Sequence, residues 1–245
     1  MRDFQLAFFK AAIPDPDIPQ DHAFVATLYH FANKHGIKYI LNGGNYATEC
    51  VRNPLEWLYY GTDMAQLRDI HKRFGTIPLR TYPFSSIFFH KVYLRYIRGV
   101  KVVKPLNLLP YTKEHASKVL SEEYGWRPYP QKHFESRFTR FYEGYWLPTR
   151  FGYDTRRVQY SSLILTGQMT RAEALERLKS PAYDPATIDE DFEYIATKLG
   201  ISVAELRHYH EMPLKTYKDY KNREWIFDLG AKVLKALGVE RAVKR

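Results

Sequence analysis

The stretch IKYILNGGNYATECVRNPLEW, residues 37–57, places two glycines directly after a run of strand-forming residues. The run from Ile37 to Leu41 predicts a strand, and its nearly all-apolar composition is typical of a parallel sheet that is covered on both faces. Asn45 is a suitable N-cap for a helix that begins just after it, and Glu49 lies one turn into that helix. The stretch therefore predicts a strand–turn–helix unit of an α/β fold.

The turn of this unit has the residues of a ligand site. Ligands of open parallel sheets bind beyond the carboxyl ends of the strands, where Gly43 and Gly44 lie, and glycine N–H groups can meet a base or a phosphate. The Glu49 carboxylate is placed to hold Mg²⁺ together with phosphates, because magnesium usually takes one or two protein carboxylates. The same spacing also fits a tight turn in which Glu49 is an ordinary first-turn acid that favours the helix dipole.

Composition narrows the class of protein. The 245 residues suffice for one large domain or for a domain with an appendage. The chain has 37 Lys and Arg against 27 Asp and Glu, a net charge of +10, which suits a polyanionic partner but also a plain soluble basic protein. The single cysteine, Cys50, excludes an internal disulfide. No apolar run reaches the roughly 20 residues of a membrane-spanning helix, and the N-terminus is a poor signal peptide, so we expect a cytoplasmic protein.

The remaining patterns predict an α/β part followed by an all-helical part, with domains at residues 1–125 and 126–245. In the α/β part, the segment 3–10 is predicted to be a strand or a short buried segment. A helix is predicted from about Asp21 to Gly36, with Phe24, Leu28 and Phe31 on one face, and another after Asp63 that ends at Gly75. A strand at 99–106 and a helix at 112–124, stopped by Gly125, complete this part. The helical part carries capping-box patterns at Thr170/Glu173, Thr187/Glu190 and Ser202/Glu205, and a final helix from about Tyr217 to Leu237.

The segment 127–160, RPYPQKHFESRFTRFYEGYWLPTRFGYDTRRVQY, is rich in aromatic and basic residues. A helix over 131–146 would align Phe134, Phe138, Phe141 and Tyr145 on one face, with His133, Arg137 and Arg140 on its flank. We interpret the aromatic residues as a core stripe. For the flank we predict a binding role, because arginine offers a rigid fork of donors for phosphate or carboxylate; the alternative is that the arginines only snorkel from the core.

Residues 20–51, QDHAFVATLYHFANKHGIKYILNGGNYATECV, resemble the later half of the nucleotide-binding domain of the N-type ATP pyrophosphatases, the PP-loop superfamily. The resemblance implies a partial parallel-sheet domain of the adenine nucleotide alpha hydrolase type. It also implies that the turn binds ATP and that Glu49 is a magnesium ligand; the implied ATP-binding residues are Gly43, Gly44, Asn45 and Thr48. The stretch VVKPLNLLPYTKEHA, residues 102–116, is similar to a later segment of this superfamily and places Lys104 where a cation faces the phosphates.

One branch of the superfamily is more similar still. The stretches QDHAF, NGGNYATECVRNPLEW, PYPQKHFESRFTRFYEGYWLP and SSLILTGQMTRAEAL together resemble the N-acetyl sugar amidotransferases of surface-polysaccharide biosynthesis, over nearly the whole chain. The resemblance implies conversion of an acetamido group on a nucleotide-linked sugar to an acetamidino group. ATP would adenylate the amide oxygen and ammonia would displace AMP. It further implies Mg²⁺ and a separate glutaminase partner that supplies ammonia, similar to the histidine-biosynthesis pair.

The resemblance assigns roles to residues of this chain. His133 is predicted to assist proton transfer from the attacking ammonia, and Lys104 to offset charge on the phosphates. The predicted substrate-binding residues are Glu135, Ser136, Arg137, Arg140, Arg156 and Arg157. Glu135 would lie off the flank of an ideal helix that carries the other residues, which is a conflict within this assignment.

The sequence departs from the superfamily in one respect: the Ser-Gly-Gly-x-Asp-Ser loop is absent from residues 1–245. We therefore expect this chain to be a piece of a longer enzyme or to be completed by another polypeptide, and to catalyse weakly or not at all alone. Two alternatives stay open. A PP-loop tRNA-modifying enzyme is favoured by the charge and disfavoured by the single cysteine, so we do not expect a nucleic-acid partner. The other alternative is a non-catalytic module that binds a nucleotide sugar. A homo-oligomer is compatible with all three.

Overall fold

The computed structural model describes residues 1–129, 131–236 and 238, which are mostly helical. The α-helices are α1 (Arg2–Lys10), α2 (Ile18–Lys34), α3 (Tyr46–Glu49), α4 (Met64–Phe74), α5 (Lys113–Tyr124), α6 (Arg137–Phe141), α7 (Arg156–Leu165), α8 (Arg171–Leu178), α9 (Ile188–Leu199), α10 (Val203–Glu211) and α11 (Glu224–Ala236). The strands are β1 (Tyr39–Leu41) and β2 (Lys101–Val103), π-helical segments span Phe89–Ile97 and Tyr142–Phe151, and 3₁₀-helices span Pro105–Leu108 and Tyr217–Asp219. No helix within the described ranges is long and apolar enough to cross a membrane.

Contacts divide the chain into two compact units. The first comprises Met1–Gly36, Pro54–Gly99 and Glu211–Arg245, and the second comprises Ile37–Asn53 and Val100–His210. The units alternate along the chain, whereas the predicted domains 1–125 and 126–245 are contiguous stretches. The division into those two domains stays a prediction.

The core of the first unit forms where α1 packs on α4. Phe4 and Phe8 of α1 are fully buried and belong to one cluster with Leu67 and Ile70 of α4 and with Tyr220. The predicted strand at residues 3–10 is wrong, and the alternative of a short buried segment is right. The apolar residues Phe4, Ala7, Phe8 and Ala11 recur at helical spacing, so a helix buries them on one side.

Helix α2, also in the first unit, begins three residues before its predicted start, with Pro19 in its first turn, where proline is well tolerated. The predicted inner face is wrong. Phe24, Leu28 and Phe31 have exposed fractions of 64%, 49% and 54%. Apart from Ile18, the residues that the helix buries are small or polar, namely Pro19, His22, Ala23, Ala26 and Ala32. Apolar spacing therefore predicts this helix correctly and its buried face incorrectly.

The second unit contains the predicted strand pair. Strands β1 and β2 are parallel, with Tyr39 opposite Lys101 and Leu41 opposite Val103. Ile40 is buried, but the neighbouring side chains of β1 are exposed, so the expectation that both faces of this sheet are covered is wrong for the described residues. Strand β2 is shorter than predicted because Pro105 cannot donate a ladder hydrogen bond and begins a 3₁₀-helix. The parallel pair is consistent with the predicted fold class without confirming a nucleotide-binding domain.

Local capping explains where the predicted helices begin and end. Thr112 caps α5, which ends at Gly125 with a φ of 65°, and Thr170 forms the predicted capping box with Glu173. Ser202 accepts a hydrogen bond from the Glu205 N–H, whereas Thr187 makes no side-chain cap. In the first unit, the final helix begins at Glu224 rather than Tyr217; its predicted last residue, Leu237, lies outside the described residues.

The single helix predicted over 131–146 is wrong. Residues 131–136 form turns, α6 begins after Ser136 accepts a hydrogen bond from the Thr139 N–H, and a π-helical segment follows from Tyr142. His133 has a φ of 69°, a left-handed conformation that a right-handed helix cannot include. His133 therefore does not share a helical flank with Arg137 and Arg140.

Candidate functional site

The turn after β1 is built as predicted by the amide side chain of Asn45. Asn45 Oδ1 accepts hydrogen bonds from the N–H and the hydroxyl of Thr48, at 2.9 and 3.1 Å, which caps α3. Asn45 is buried, and Asn107 accepts a hydrogen bond from the N–H of Tyr46. Glu49 ends this one-turn helix. The turn is therefore held by side chains rather than by a long helix.

Helix α7 and the residue that follows it anchor α3. The N–H of Val51 donates to Ser162 Oγ at 3.0 Å, and the Thr166 hydroxyl donates to the carbonyl of Ala47 at 2.8 Å. The segment around His133 is tied to the same helix, because Gln131 Nε2 donates to Gln159 Oε1 at 2.6 Å. Helix α7 therefore brings together two stretches that are more than eighty residues apart in sequence.

Gly44 is needed at its position because side chains crowd it. A β-carbon placed there would lie 2.7 Å from Asn42 Oδ1, 3.3 Å from Lys104 Nζ and 3.4 Å from Glu49 Oε2. The Gly44 N–H already donates to Asn42 Oδ1 at 2.7 Å, so this amide is bonded within the turn. The predicted cation and the predicted metal ligand, Lys104 and Glu49, thus converge on the same glycine.

Gly44→Ala is expected to lower the free energy of unfolding by about 1 kcal/mol, because the new methyl group displaces Asn42 and breaks its hydrogen bond. Urea denaturation followed by circular dichroism measures the effect. Gly43→Ala is the matched control: a β-carbon at Gly43 meets no atom within 4 Å, and we expect a change within about 0.5 kcal/mol. Equal effects of the two substitutions would contradict this reading of the turn.

A cleft of about 360 Å³ opens beside this turn. It is lined by Gly43, Asn45, Thr48, Glu49, Tyr111, Lys113, Trp126, Tyr129, Gln131, Lys132, His133, Glu135, Gln159, Tyr160, Leu163 and Arg177. All predicted residues of the turn except Gly44 therefore line one cleft with the predicted His133 and Glu135. Tyr160 and Leu163 of α7 are buried residues of its lining.

Lys132, which the sequence analysis did not select, binds the predicted metal ligand. Its Nζ lies 2.6 Å from Glu49 Oε1. Burial acts to raise the pKa of the Glu49 carboxyl, but the hydrogen bond and charge of Lys132 outweigh it, and the pKa lies below its ordinary value. Glu49 is therefore ionised at neutral pH. In the sequence, only the adjacency of Lys132 to His133 indicates that it belongs to the site, because its partner Glu49 is 83 residues away.

His133 is hydrogen-bonded to the carboxylate of Glu143, a residue that the sequence analysis did not select. Because a carboxylate only accepts, His133 Nδ1–H donates to Glu143 Oε1, at 3.0 Å, and Thr155 Oγ1 lies 3.4 Å from the other oxygen. The hydrogen bond to Glu143 raises the pKa of His133 despite burial. The charged pair therefore stabilises the fold below the ordinary histidine pKa, and this contribution is lost as pH rises through the raised pKa.

The predicted substrate-binding arginines lie elsewhere. Arg137 Nε and Arg140 Nη2 bind the buried Asp191 at 2.7 and 2.5 Å, and Arg156 pairs with Asp154 at 2.6 Å. The other predicted residues outside the lining are Gly44, Lys104, whose Nζ lies near Gly44, Ser136, which caps α6, and Arg157, which is exposed. Among the described residues, the structure thus brings only Glu135 of the predicted substrate-binding set to the cleft.

The donor set of the cleft limits which metal it fits. In the part of the chain that the structure describes, no group of three or more His, Cys, Asp and Glu residues could hold a metal ion. Glu49 offers one carboxylate, and Lys132 bonds one of its oxygens. Such a set fits Mg²⁺ in the company of phosphate oxygens, because magnesium often keeps only one or two protein carboxylates.

Comparison with known proteins identifies the segment that follows His133. Residues 135–234 match a family model described as LPS biosynthesis protein WbpG-like, C-terminal domain. No curated protein and no solved structure matches the chain. The family match supports the predicted N-acetyl sugar amidotransferase family. Residues 135–234 are therefore similar to the C-terminal domain of WbpG-like LPS biosynthesis proteins.

Proposed function

We propose that the chain acts as an ATP-dependent amidotransferase that converts the acetamido group of a nucleotide-linked N-acetyl sugar to an acetamidino group. One observation carries the proposal: the β1–α3 turn shares its cleft with His133 and with Glu135, the first residue of the matched segment. The match to LPS biosynthesis proteins favours a sugar substrate over the tRNA of a PP-loop tRNA-modifying enzyme.

The reaction requires the carbon–oxygen bond of an amide to break. ATP, when bound, supplies the adenylyl group that makes this oxygen a good leaving group, with release of pyrophosphate. Ammonia then forms the new carbon–nitrogen bond as AMP departs with the oxygen. In this proposal His133 accepts a proton from the attacking nitrogen, because Glu143 holds its Nδ1–H and leaves Nε2 as the acceptor.

The turn offsets the charge of the phosphates. Glu49 would hold Mg²⁺, which with Lys104 would neutralise charge on the phosphate oxygens. Gly43, Asn45 and Thr48 line the same part of the cleft, and Gly44 lets Lys104 and Glu49 approach the turn closely. Ammonia would come from a separate glutaminase partner resembling that of histidine biosynthesis. The reaction would take place in the cytoplasm. A homo-oligomer is compatible with this proposal.

The test measures the incorporation of ¹⁵N from ammonium into the nucleotide-linked sugar. The chain is incubated with MgATP, ¹⁵N-ammonium and a panel of UDP-N-acetyl sugars that includes uronates, and the products are analysed by mass spectrometry. We expect slow replacement of the acetamido oxygen by ¹⁵N, because the Ser-Gly-Gly-x-Asp-Ser loop is absent from residues 1–245, with AMP and pyrophosphate formed in equal amount. Sugar-nucleotide binding without any label incorporation would contradict the proposal and select the non-catalytic binding module. Steeply salt-dependent tRNA retention would instead select the tRNA-modifying enzyme.

A further inference from the structure

Basic side chains from separate parts of the second unit converge on the cleft. Lys113 begins α5, Arg177 lies in the last turn of α8, and Lys132 belongs to the turn before α6. Desolvation lowers the pKa of Lys113, and the charges of Lys132 and Arg177 lower it further. Lys113 is therefore close enough to Lys132 and to Arg177 to be repelled by both, an arrangement that an anionic ligand relieves.

Of these three cations, only Lys132 forms a described ion pair with a carboxylate of the cleft. Glu49 bonds Lys132, whereas no described ion pair joins a carboxylate to Lys113 or Arg177. Two of the arginines selected from the sequence are in the opposite situation, since Arg137 and Arg140 share Asp191. Anion-binding capacity in this unit therefore lies at the cleft and not on α6.

Aromatic rings stand beside the cations. Trp126 and Tyr129 meet edge to face, with ring centroids 6.2 Å apart at an angle of 74°, and both line the cleft together with Tyr111. Tyr129 has an exposed fraction of 49%, so part of its surface is open to a ligand. Flat rings next to cations suit a ligand that joins a heteroaromatic base to phosphates.

We propose that Lys113, Lys132 and Arg177 form a subsite for the diphosphate group of a nucleotide, with Trp126 and Tyr129 as the wall for its base. The subsite adds detail to the proposed function and rests on it. That reaction uses two nucleotides, ATP and the nucleotide-linked sugar, and the subsite binds one of them. Lys132 has a double role here: when it turns to a phosphate oxygen, it releases Glu49 Oε1. Diphosphate binding thereby makes a second oxygen of the metal ligand available.

The test is calorimetric titration of the full chain with UDP, ADP, pyrophosphate and orthophosphate in the absence of turnover. Lys113→Ala and Arg177→Ala are expected to weaken diphosphate binding about tenfold or more each, because each removes a charge-assisted hydrogen bond. Lys118→Ala on α5 and Arg171→Ala on α8 are matched controls, since both residues are exposed and neither lines the cleft. Thermal melts of all four variants verify that the fold is kept.

The two sources of a diphosphate are separated by titrating UDP-N-acetylglucosamine and a non-hydrolysable ATP analogue. Selective weakening of one ligand in Lys113→Ala and Arg177→Ala supports the subsite and assigns that ligand to it. The proposal is overturned if the two variants bind every probe as the two controls do, or if orthophosphate binds as tightly as UDP. Because no measurement here needs turnover, failure of the ¹⁵N assay alone leaves this result unaffected.

Discussion

Asp191→Ala is expected to lower the free energy of unfolding by about 3 kcal/mol. The Asp191 side chain is 5% exposed and accepts hydrogen bonds from Arg137 Nε and from Arg140 Nε and Nη2. Its removal takes the buried counter-charge from both guanidinium groups and leaves Arg137 with the exposed Glu190, 3.9 Å away. Both arginine side chains are 36% exposed, so water replaces part of what is lost and the cost stays below the sum of the separate bonds. Guanidinium denaturation followed by circular dichroism measures it.

The adjacent residue on the same helix is the control. Glu190 is 75% exposed and lies 3.9 Å from Arg137, so Glu190→Ala should change the unfolding free energy by less than about 0.5 kcal/mol. If both substitutions had the same small effect, Asp191 would not organise the packing of α6 against α9. The arginines would then be as free to bind a ligand as the sequence analysis predicted.

His133→Asn is expected to reduce turnover in the ¹⁵N assay about 100-fold with ligand binding retained, because it removes the proton acceptor. Asparagine is chosen because it tolerates the left-handed backbone that His133 adopts, so loss of the base is separated from backbone strain. Calorimetry with the ATP analogue is the companion measurement. Loss of ATP binding with unchanged turnover per bound ligand would argue against the role of His133 in proton transfer.

The pH dependence of turnover is a second test of the role of His133 as a proton acceptor. A proton acceptor works when neutral, so turnover should rise as pH passes the raised pKa of His133. Glu143→Gln removes the charge that raises this pKa, and the rising limb should move to lower pH. Glu176→Gln, at an exposed acid of α8, is the control and should leave the limb in place. An unmoved limb in Glu143→Gln would contradict the assignment.

The sequence predicted well those features that depend on near neighbours. The cap at Asn45, the capping box at Thr170 and the stop at Gly125 each involve residues within one helical turn, and all three are confirmed. The parallel pairing of the strands in β1 and β2 is confirmed as well. The helix over 131–146 was wrong because apolar spacing does not report the left-handed backbone at His133.

The cleft was predictable in part. Gly43, Asn45, Thr48, Glu49, His133 and Glu135 lie in it as residues of two motifs, although their roles stay predictions. Their charged partners could not be read from the sequence, because Lys132 meets Glu49 across 83 positions and Arg137 meets Asp191 across 54. Arg137 and Arg140 looked available for a ligand in the sequence, and the fold gives both of them the same acidic partner.

The position of Tyr220 has a consequence for the order of events during synthesis. Its ring belongs to the cluster of Phe4 and Leu67, and its hydroxyl donates to the carbonyl of Ala11 at 2.7 Å, a contact across 209 positions. Contacts of such high order delay folding, since a long loop must close before they form. Helix α1 leaves the ribosome well before residue 220 yet gains this core neighbour only after residue 220 is made. Until then, its phenylalanines are a natural target for chaperones.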